Sequence, residues 1–396
     1  MSVGMLALYS QFFVFPIFGD GPGIVAASGV IRAIYLPAYI IGLVLVAGAP
    51  LSFLAALARQ PFLLLVLAMV ALSYAWSIAP DQTLRRAVAV YFTTLGGVAI
   101  AVRYRWAQMA EIIGTCFASL AVLSLVVCLA APSIGVMHEI FPGAWRGLWA
   151  EKNAFGGNMA LGCIIMFAAA ALNPRRALIW AAFAALALGL VLMSTSKTSL
   201  VSAMLGMGVI GAAAFARRGP AAAVAVVWTG VLGAALVAGV ALFAPDQFFS
   251  LLGKDATFTG RTQIWAAALR QIAQRPWTGF GYGVVWTEEG NWAPLAQIVK
   301  EAGFKPQHAH NAWIEQWLGQ GLVGVWAFGL MLAQAFVLAL VSVFRHPGAL
   351  LAAPILVVYT LMSLTESVGV IYHDLRWVLF VVVAVKLAWP DERIGT

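Results

Sequence analysis

The sequence predicts an all-α polytopic membrane protein, and three observations predict it. Of the 396 residues, 63% are hydrophobic and 10% are charged, with a mean hydropathy of +0.93, whereas a soluble domain is roughly half apolar and a quarter charged. The apolar residues form continuous runs rather than the alternation typical of a membrane β-barrel. Because a helix needs about 20 apolar residues to cross a bilayer, the chain has room for about 12 transmembrane helices.

Twelve spans are predicted from the apolar runs between polar turns. Their ranges are 3–18, 24–48, 62–79, 84–102, 107–131, 154–173, 177–195, 198–216, 221–244, 311–341, 349–367 and 373–389. The one long polar segment lies after the ninth run. The chain is accordingly divided into a transmembrane bundle at 1–244, one large outer loop with short helices at 245–310, and a second transmembrane part at 311–396.

Basic residues in the short loops orient these spans. The first basic residue is Arg32, so the N-terminus is expected to be a retained span rather than a signal peptide. Arginines in alternate loops place both termini in the cytoplasm: Arg59, Arg103, Arg105, Arg175, Arg176, Arg217, Arg218 and Arg345. Residues 245–310 are then outside, and more basic residues fall on that side than inside. Snorkelling to lipid phosphates explains single cases, but a polyanionic ligand explains the surplus better.

The turn at His310 is the strongest candidate for chemistry. His310 and Asn311 stand where the long polar segment re-enters an apolar run, and Gly321 and Gly324 follow about three turns deeper. A histidine side chain titrates near pH 6.5, so a partly desolvated imidazole is a suitable proton acceptor at neutral pH. The alternative is a capping or interfacial histidine, which His308 fits equally. The two glycines are expected to let another helix approach closely.

An arginine motif in the long polar segment supplies a candidate anion site. Gly260-Arg261-Thr262-Gln263-Ile264-Trp265 opens a helix expected over about 260–274. A guanidinium and backbone amides at a helix start together suit a phosphate. The alternative is a surface pair of Arg261 with Asp255 or Glu288. In a shared site, Arg261 and His310 should face each other across a gap that fits a sugar phosphate.

Other polar residues at the outer ends of spans could complete such a site. The candidates for substrate binding are Lys197, Arg85, Arg86, Lys152, Asn153, Asn311, Arg376 and Glu366. Each also has a structural interpretation. The hydroxyl-rich turn around Lys197 is equally a solvated hairpin between helices, and Arg376 could instead form a structural pair with Asp374 or Glu366.

Several chemistries are excluded by missing patterns. The sequence has no histidine–carboxylate spacing typical of a metal site, no acidic pair of the kind that holds a metal on a nucleotide sugar, no phosphate loop and no GxGxxG. It therefore predicts neither a metal nor a cofactor. The net charge of +8 is spread between spans without a basic stripe, which argues against nucleic acid as a partner.

These motifs resemble the O-antigen ligase and Wzy-type polymerase superfamily, whose shared part is the Wzy_C domain. The resemblance rests on His-Asn-x9-Gly-x-x-Gly at 310–324, on Gly-Arg-x-x-x-Trp at 260–265 and on the single large outer loop between two late spans. Glu151-Lys152-Asn153 followed by Gly156 is similar to the Lys-Asn motif of the ExoQ-like exopolysaccharide polymerases. The family's Ser-Arg turn maps onto Ser196-Lys197-Thr198, where lysine lacks the bidentate phosphate grip of arginine.

The resemblance implies a GT-C-like, metal-independent, inverting glycosyltransferase of the bacterial inner membrane, with its active site facing the periplasm. The donor would be an undecaprenyl-pyrophosphate-linked oligosaccharide. His310 would be the general base on the acceptor hydroxyl, and Arg261 would clamp the leaving pyrophosphate. The acceptor would be another lipid-linked glycan in a polymerase, which the Lys-Asn motif favours, or lipid A–core in a ligase. Membrane lipids and a chain-length regulator are the further partners expected.

A transporter or flippase for the same lipid is the alternative from a different class. Broken helices at matching positions of two inverted halves would support it. The sequence offers no such pair.

Overall fold

The computed structural model of the chain describes residues 1–19, 27–138, 141–243, 260–287, 290 and 292–389. This part of the chain is helical, and its one strand-like pairing is a bridge between Val136 and Trp145. In chain order the α-helices are α1 (Ser2–Tyr9), α2 (Val14–Phe18), α3 (Ser28–Ile34), α4 (Leu36–Ala47), α5 (Pro50–Ala58), α6 (Pro61–Leu72), α7 (Pro80–Arg103), α8 (Trp106–Ala130), α9 (Pro132–Gly135), α10 (Lys152–Leu172), α11 (Ala177–Met193), α12 (Lys197–Ala216), α13 (Pro220–Phe243), α14 (Arg261–Ile272), α15 (Pro294–Ala302), α16 (Ala312–Val343), α17 (Ala349–Thr365) and α18 (Leu375–Ala388).

The predicted class, a polytopic helical membrane protein, is confirmed. Within the described ranges, seven helical stretches are long and apolar enough to cross a bilayer, or eight if one bent pair counts as a span. The seven are Ser28–Ala47, Pro80–Arg103, Trp106–Ala130, Lys152–Leu172, Pro174–Met193, Lys197–Ala216 and Ala312–Val343. Each coincides with one of the twelve predicted spans.

The other five predicted spans take forms that the apolar pattern did not reveal. The first is split into α1 and α2 around Gln11, which has a φ of +61°. The third is one arm of a pair, Pro50–Ala58 with Pro61–Trp76, bent by 93°. Each arm begins with a proline, which lacks the amide needed to continue a helix from the preceding turn. The ninth corresponds to α13, in which the stretch Pro220–Gly233 is apolar but too short to count as a span.

The last two predicted spans are short helices. α17 has 17 residues and α18 has 14, which correspond to about 25 Å and 21 Å of helix, against a hydrocarbon core of about 30 Å. A continuous apolar run therefore predicted helix correctly but overstated its length.

Two helices lie at the centre of the bundle. Most of α10 is buried, and in α18 every residue from Trp377 to Leu387 is buried. A helix that is apolar on all sides belongs in the interior, which explains why α18 stays inside despite its length. The cysteines, expected from their apolar surroundings to be packing residues, are all free and buried: Cys116, Cys128 and Cys163.

The long helix α16 is interrupted at Gly321, where φ is +69° and ψ is −171°. The turn at residues 276–281 fills the interruption. The amide of Phe280 donates to a carbonyl of α16 at 2.8 Å, and the amide of Leu322 donates to a carbonyl of the turn at 2.8 Å. The expectation that Gly321 admits another helix is therefore wrong, because the backbone of a turn approaches it instead.

We expect Gly321→Ala to disrupt this end of the bundle. The added Cβ would lie 2.1 Å from the backbone of Trp277, and a left-handed φ strains any side chain, so the loss should exceed about 3 kcal/mol. Thermal melting and size-exclusion profiles of the detergent-solubilised protein measure it. Gly329→Ala in the same helix is the control, since its Cβ would make an ordinary contact of 3.6 Å with Trp313. Equal melting of the two variants would contradict the assignment.

Candidate active site

An arginine and a histidine from different segments meet at one end of the bundle. Arg261 is the first residue of α14 and follows Gly260, which has a φ of +85°. His310 lies two residues before α16. The distance from Arg261 Nη2 to His310 Nδ1 is 3.4 Å. The gap expected between these two side chains is therefore absent, because the side chains are in contact.

Glu366, which directly follows α17, joins the arginine and the histidine. Its Oε1 accepts from Arg261 Nη2 at 3.1 Å, and its Oε2 lies 3.0 Å from His310 Nδ1. Arg261 Nη1 also donates to the carbonyl of Thr365 at 2.6 Å. The partners considered from the sequence, Asp255 and Glu288, lie outside the described residues.

The carboxylate decides which nitrogen of the histidine can act as a base. With the proton on Nδ1, His310 donates to Glu366, and its Nε2 becomes the proton acceptor. The same arrangement of carboxylate and imidazole stabilises the imidazolium that forms when a histidine takes a proton from a nucleophile. The geometry therefore suits general-base chemistry at Nε2 of His310.

The cluster is partly buried, with side-chain exposures of 11% for Arg261, 27% for Glu366 and 29% for His310. Burial acts to raise the pKa of Glu366, but the hydrogen bond from His310 and the charges of Arg261 and His310 outweigh it and lower that pKa below its usual value. Glu366 therefore stays ionised at neutral pH, as its bridging role requires.

Two neighbours fix the backbone of the histidine turn. Trp265, the last residue of the arginine motif, donates from Nε1 to the carbonyl of Ala309 at 2.8 Å. Glu315 accepts the amide of Ala309 at 2.6 Å and the hydroxyl of Ser367 at 2.9 Å. These contacts hold both His310 and the segment after Glu366, which explains how His310 keeps a left-handed φ of +53° that few non-glycine residues adopt.

Asn311 was a candidate for substrate binding, and the structure gives it a structural role instead. It is the N-cap of α16, and its side-chain oxygen accepts the amides of Trp313 and Ile314 at 2.9 and 3.1 Å. Its Nδ2 donates to the carbonyl of Leu364 at 3.2 Å. The amide group is thus engaged with the protein at both ends, and Asn311 holds the helix start next to His310.

A cavity of about 470 Å³ opens beside this cluster, and we call it the glycan cavity after the ligand that the family resemblance implies. Of the residues predicted to bind substrate, it is lined by Arg86, Asn153, Glu366 and Arg376. Arg261 and His310 adjoin it through Glu366 and through His308, whose ring centroid is 4.0 Å from that of His310. Burial, with the charge of His310, lowers the pKa of His308 to about 4, so this wall residue is neutral at pH 7.

The two arginines of this wall are already held by protein groups. Arg376 donates from Nε and Nη2 to the carboxylate of Asp374 at 3.0 and 2.5 Å, so the structural pair weighed from the sequence is present. Arg86 donates to the carbonyl of Gly283 and, at 3.1 Å, to the hydroxyl of Thr287. Both guanidinium groups are therefore fixed in position before any ligand arrives.

The remaining predicted binders are not among the described residues that line the glycan cavity. Lys152 donates to Thr195 Oγ1 at 3.2 Å and lies over the ring of Phe141 at 3.9 Å. Lys197 begins α12 in the same polar turn, and neither lysine is among the described lining residues. Arg85 lines a second cavity.

Residues that the sequence did not single out complete the wall. Gln316 and Gln320 lie one turn apart on α16 and both line the glycan cavity. Both polar atoms of Gln320 are buried and find no partner in the described part of the chain. An unsatisfied buried amide costs about 1–3 kcal/mol, so this wall favours a polar occupant. The i, i+4 spacing of two glutamines after the histidine turn was the signal available in the sequence.

Fold and site together define a polytopic helical membrane protein with a histidine and arginines around a cavity at one end of its bundle. Residues 181–329 match the Wzy_C family, described as O-antigen ligase, a range that includes Arg261 and His310. The chain is 30% identical over 282 residues to the exopolysaccharide production protein ExoQ of Rhizobium meliloti strain 1021, over 66% of this chain and 61% of that protein. It thus spans about three fifths of the relative's length. Both comparisons support the resemblance to the O-antigen ligase and polymerase superfamily that the motifs predicted.

Proposed function

We propose that this protein is a metal-independent, inverting glycosyltransferase that uses an undecaprenyl-pyrophosphate-linked glycan as donor and polymerises the repeat units of a surface or exopolysaccharide. The observation that carries the proposal is the contact of Arg261, Glu366 and His310 beside the glycan cavity. The match to a family described as O-antigen ligase supports the reaction class, and the name of the relative, an exopolysaccharide production protein, supports polymerisation.

The chemistry follows from the roles of these three side chains. Nε2 of His310 takes the proton of the acceptor hydroxyl while that oxygen attacks the anomeric carbon of the donor. The bond from this carbon to the pyrophosphate oxygen breaks as the new glycosidic bond forms, and pyrophosphate leaves with the bonding pair. The guanidinium of Arg261 stabilises the charge that develops on the leaving group. Direct displacement from the opposite side inverts the anomeric centre.

The proposal includes a placement in the bacterial inner membrane. Both termini would be cytoplasmic and residues 245–310 periplasmic, with GT-C-like membrane parts at 1–244 and 311–396. The short and bent helices would complete twelve crossings. A polyprenyl pyrophosphate is polyanionic and stays at the membrane boundary, which fits the excess of basic residues on the proposed outer side.

A ligase is the second candidate, and the description of the matching family supports it. It would use the same donor and the same His310 and Arg261, and it would transfer the glycan to lipid A–core. A polymerase would in addition work with a chain-length regulator. The transporter alternative gains little from the break in α16, since backbone of the same chain fills it.

A transfer assay with the purified protein in lipid nanodiscs tests the proposal. One reaction receives a lipid-linked repeat unit alone, and a second also receives lipid A–core. We expect a ladder of polymer in the first reaction, with release of polyprenyl pyrophosphate. Transfer in the second reaction alone would establish a ligase. Consumption of donor in neither reaction would contradict a glycosyltransferase.

General-base catalysis needs a neutral imidazole at His310, so the rate should rise with pH, and the neighbouring groups should add no ionisation of their own between about pH 5 and 9. Burial lowers the pKa of the neighbour His308 to about 4, and Glu366 ionises below its usual range, so neither of them titrates in this window. A pH profile of kcat/KM with two ionisations on its acid limb would contradict this assignment.

Activity should survive treatment with EDTA. Two carboxylates that line the glycan cavity accept hydrogen bonds from protein donors, Glu315 from Trp286 and Ala309, and Glu366 from Arg261. They are therefore arranged as acceptors for protein groups and not as an open set of metal ligands. The transfer assay run with EDTA, then with added Mg²⁺ or Mn²⁺, measures this. Loss of activity that a divalent ion restores would overturn the scheme.

A further inference from the structure

A second cavity, of about 740 Å³, lies between α3, α4 and the start of α7. We call it the lateral cavity. Its lining combines aliphatic side chains, among them Leu36, Leu84 and Val88, with three arginines and with further polar and aromatic residues. The arginines are Arg32, Arg85 and Arg86. Arg86 and Tyr372 line this cavity and the glycan cavity alike, so the two spaces adjoin.

The helices around the lateral cavity run parallel and bring two arginines to the same level. Tyr39 of α4 stacks on Phe92 of α7 with ring centroids 4.7 Å apart. Deeper in the bundle, Gly42 packs against Gly96. Because the residue numbers rise along both helices from the first contact to the second, the two helices run in the same direction and start at the same end. The offset of these pairs places Arg32 level with Arg85, and both line the cavity.

The lateral cavity opens towards the expected acyl chains. Leu36, Leu84 and Val88 line it and are about half exposed, at 53%, 51% and 47%. Both helices belong to stretches that qualify as membrane spans. A cavity with an aliphatic lateral opening and guanidinium groups at one level fits an amphipathic ligand that has a long apolar chain and a compact polyanionic head.

We propose that the lateral cavity binds the acceptor, a second polyprenyl diphosphate lipid, with its diphosphate at Arg32 and Arg85 and its glycan directed past Arg86 into the glycan cavity. The inference rests on the proposed function, because polymerisation needs two lipid-linked substrates at once. Arg261 holds the diphosphate of the donor, so the acceptor needs an anion site of its own. The shared wall at Arg86 and Tyr372 lets the two glycans meet beside His310.

Binding stoichiometry tests this proposal without the unidentified glycan. Tritiated undecaprenyl diphosphate is titrated into the full-length protein in phosphatidylcholine nanodiscs. The wild-type protein should bind two equivalents, and Arg32→Gln/Arg85→Gln should bind one. Arg175→Gln/Arg217→Gln is the matched control, since it removes the same charge from two exposed arginines, one just before α11 and one just after α12. This control variant should bind two equivalents. Melting curves check that the variants are folded.

The outcomes separate this inference from the proposed function. Two equivalents in Arg32→Gln/Arg85→Gln would overturn the inference. A single equivalent in the wild-type protein that Arg261→Ala abolishes would overturn it too, while the donor site would stand. No binding to the wild-type protein would remove the donor site as well. The second equivalent should persist in nanodiscs containing phosphatidylglycerol, and its displacement there would identify an ordinary anionic phospholipid site and overturn the proposal.

Discussion

Replacing His310 with alanine should lower the transfer rate by about 10²–10⁴-fold, the usual contribution of a positioned general base. The imidazole is the acceptor for the hydroxyl proton, and Glu366 and Ala309 are held by other residues of the cluster, so the site should persist without it. Single-turnover transfer of a lipid-linked glycan measures the effect, with donor binding measured separately and expected to be nearly unchanged.

Two further variants separate the chemistry from the fold. His310→Asn is the preferred inactive form, because asparagine tolerates the left-handed backbone found at this position. His346→Ala removes a histidine just beyond the other end of α16 and should leave turnover unchanged. If His310→Asn turned over like the wild-type protein, His310 would not be the base.

Replacing Arg261 with alanine should reduce transfer by about 10²–10³-fold, the range found when one donor to a developing oxyanion is removed. The loss has two causes. The leaving pyrophosphate would lose a cation. Glu366, which contacts His310, would also lose its hydrogen bond from the guanidinium of Arg261. Release of polyprenyl pyrophosphate measures the effect, and the reduction should appear in kcat as well as in donor binding.

The lysine variant and a control on the same helix sharpen this result. Arg261→Lys should recover activity only in part, because an ammonium cannot donate to Thr365, Glu366 and a phosphate in the fixed geometry of a guanidinium. Arg270→Ala removes an exposed arginine of α14 that pairs with Glu301 at the surface, and an exposed pair of this kind contributes little. Complete recovery in Arg261→Lys would mean that positive charge alone suffices.

The sequence predicted the helices and proposed His310 and Arg261 as site residues, for physical reasons that can be named. Apolar runs predict helices, and charge in an apolar chain directs attention to His310 and Arg261. Their contact was not predictable, because it depends on Glu366, which lies 56 residues from one and 105 from the other. Only the fold decides which distant carboxylate reaches the pair.

The errors have equally specific causes. Gly321 has the pattern of a helix–helix contact, and a sequence does not distinguish the approach of a helix from the approach of a turn such as residues 276–281. Glu315 was not proposed as a site residue, because a carboxylate within a helix usually faces solvent, whereas here it accepts from Trp286, Ala309 and Ser367. Arg85 was grouped with Arg86 by adjacency, yet of the two only Arg86 lines the glycan cavity.

The most direct test of the account is the anomeric configuration of the product made by the purified protein from a lipid-linked repeat unit of known configuration. Nuclear magnetic resonance of the new glycosidic linkage, measured with the released polyprenyl pyrophosphate, gives both the stereochemistry and the stoichiometry. If His310 activates the acceptor for direct displacement of a pyrophosphate beside Arg261, each new bond should be inverted and accompanied by one released polyprenyl pyrophosphate. Retention of configuration, or bond formation without that release, would contradict the proposed mechanism.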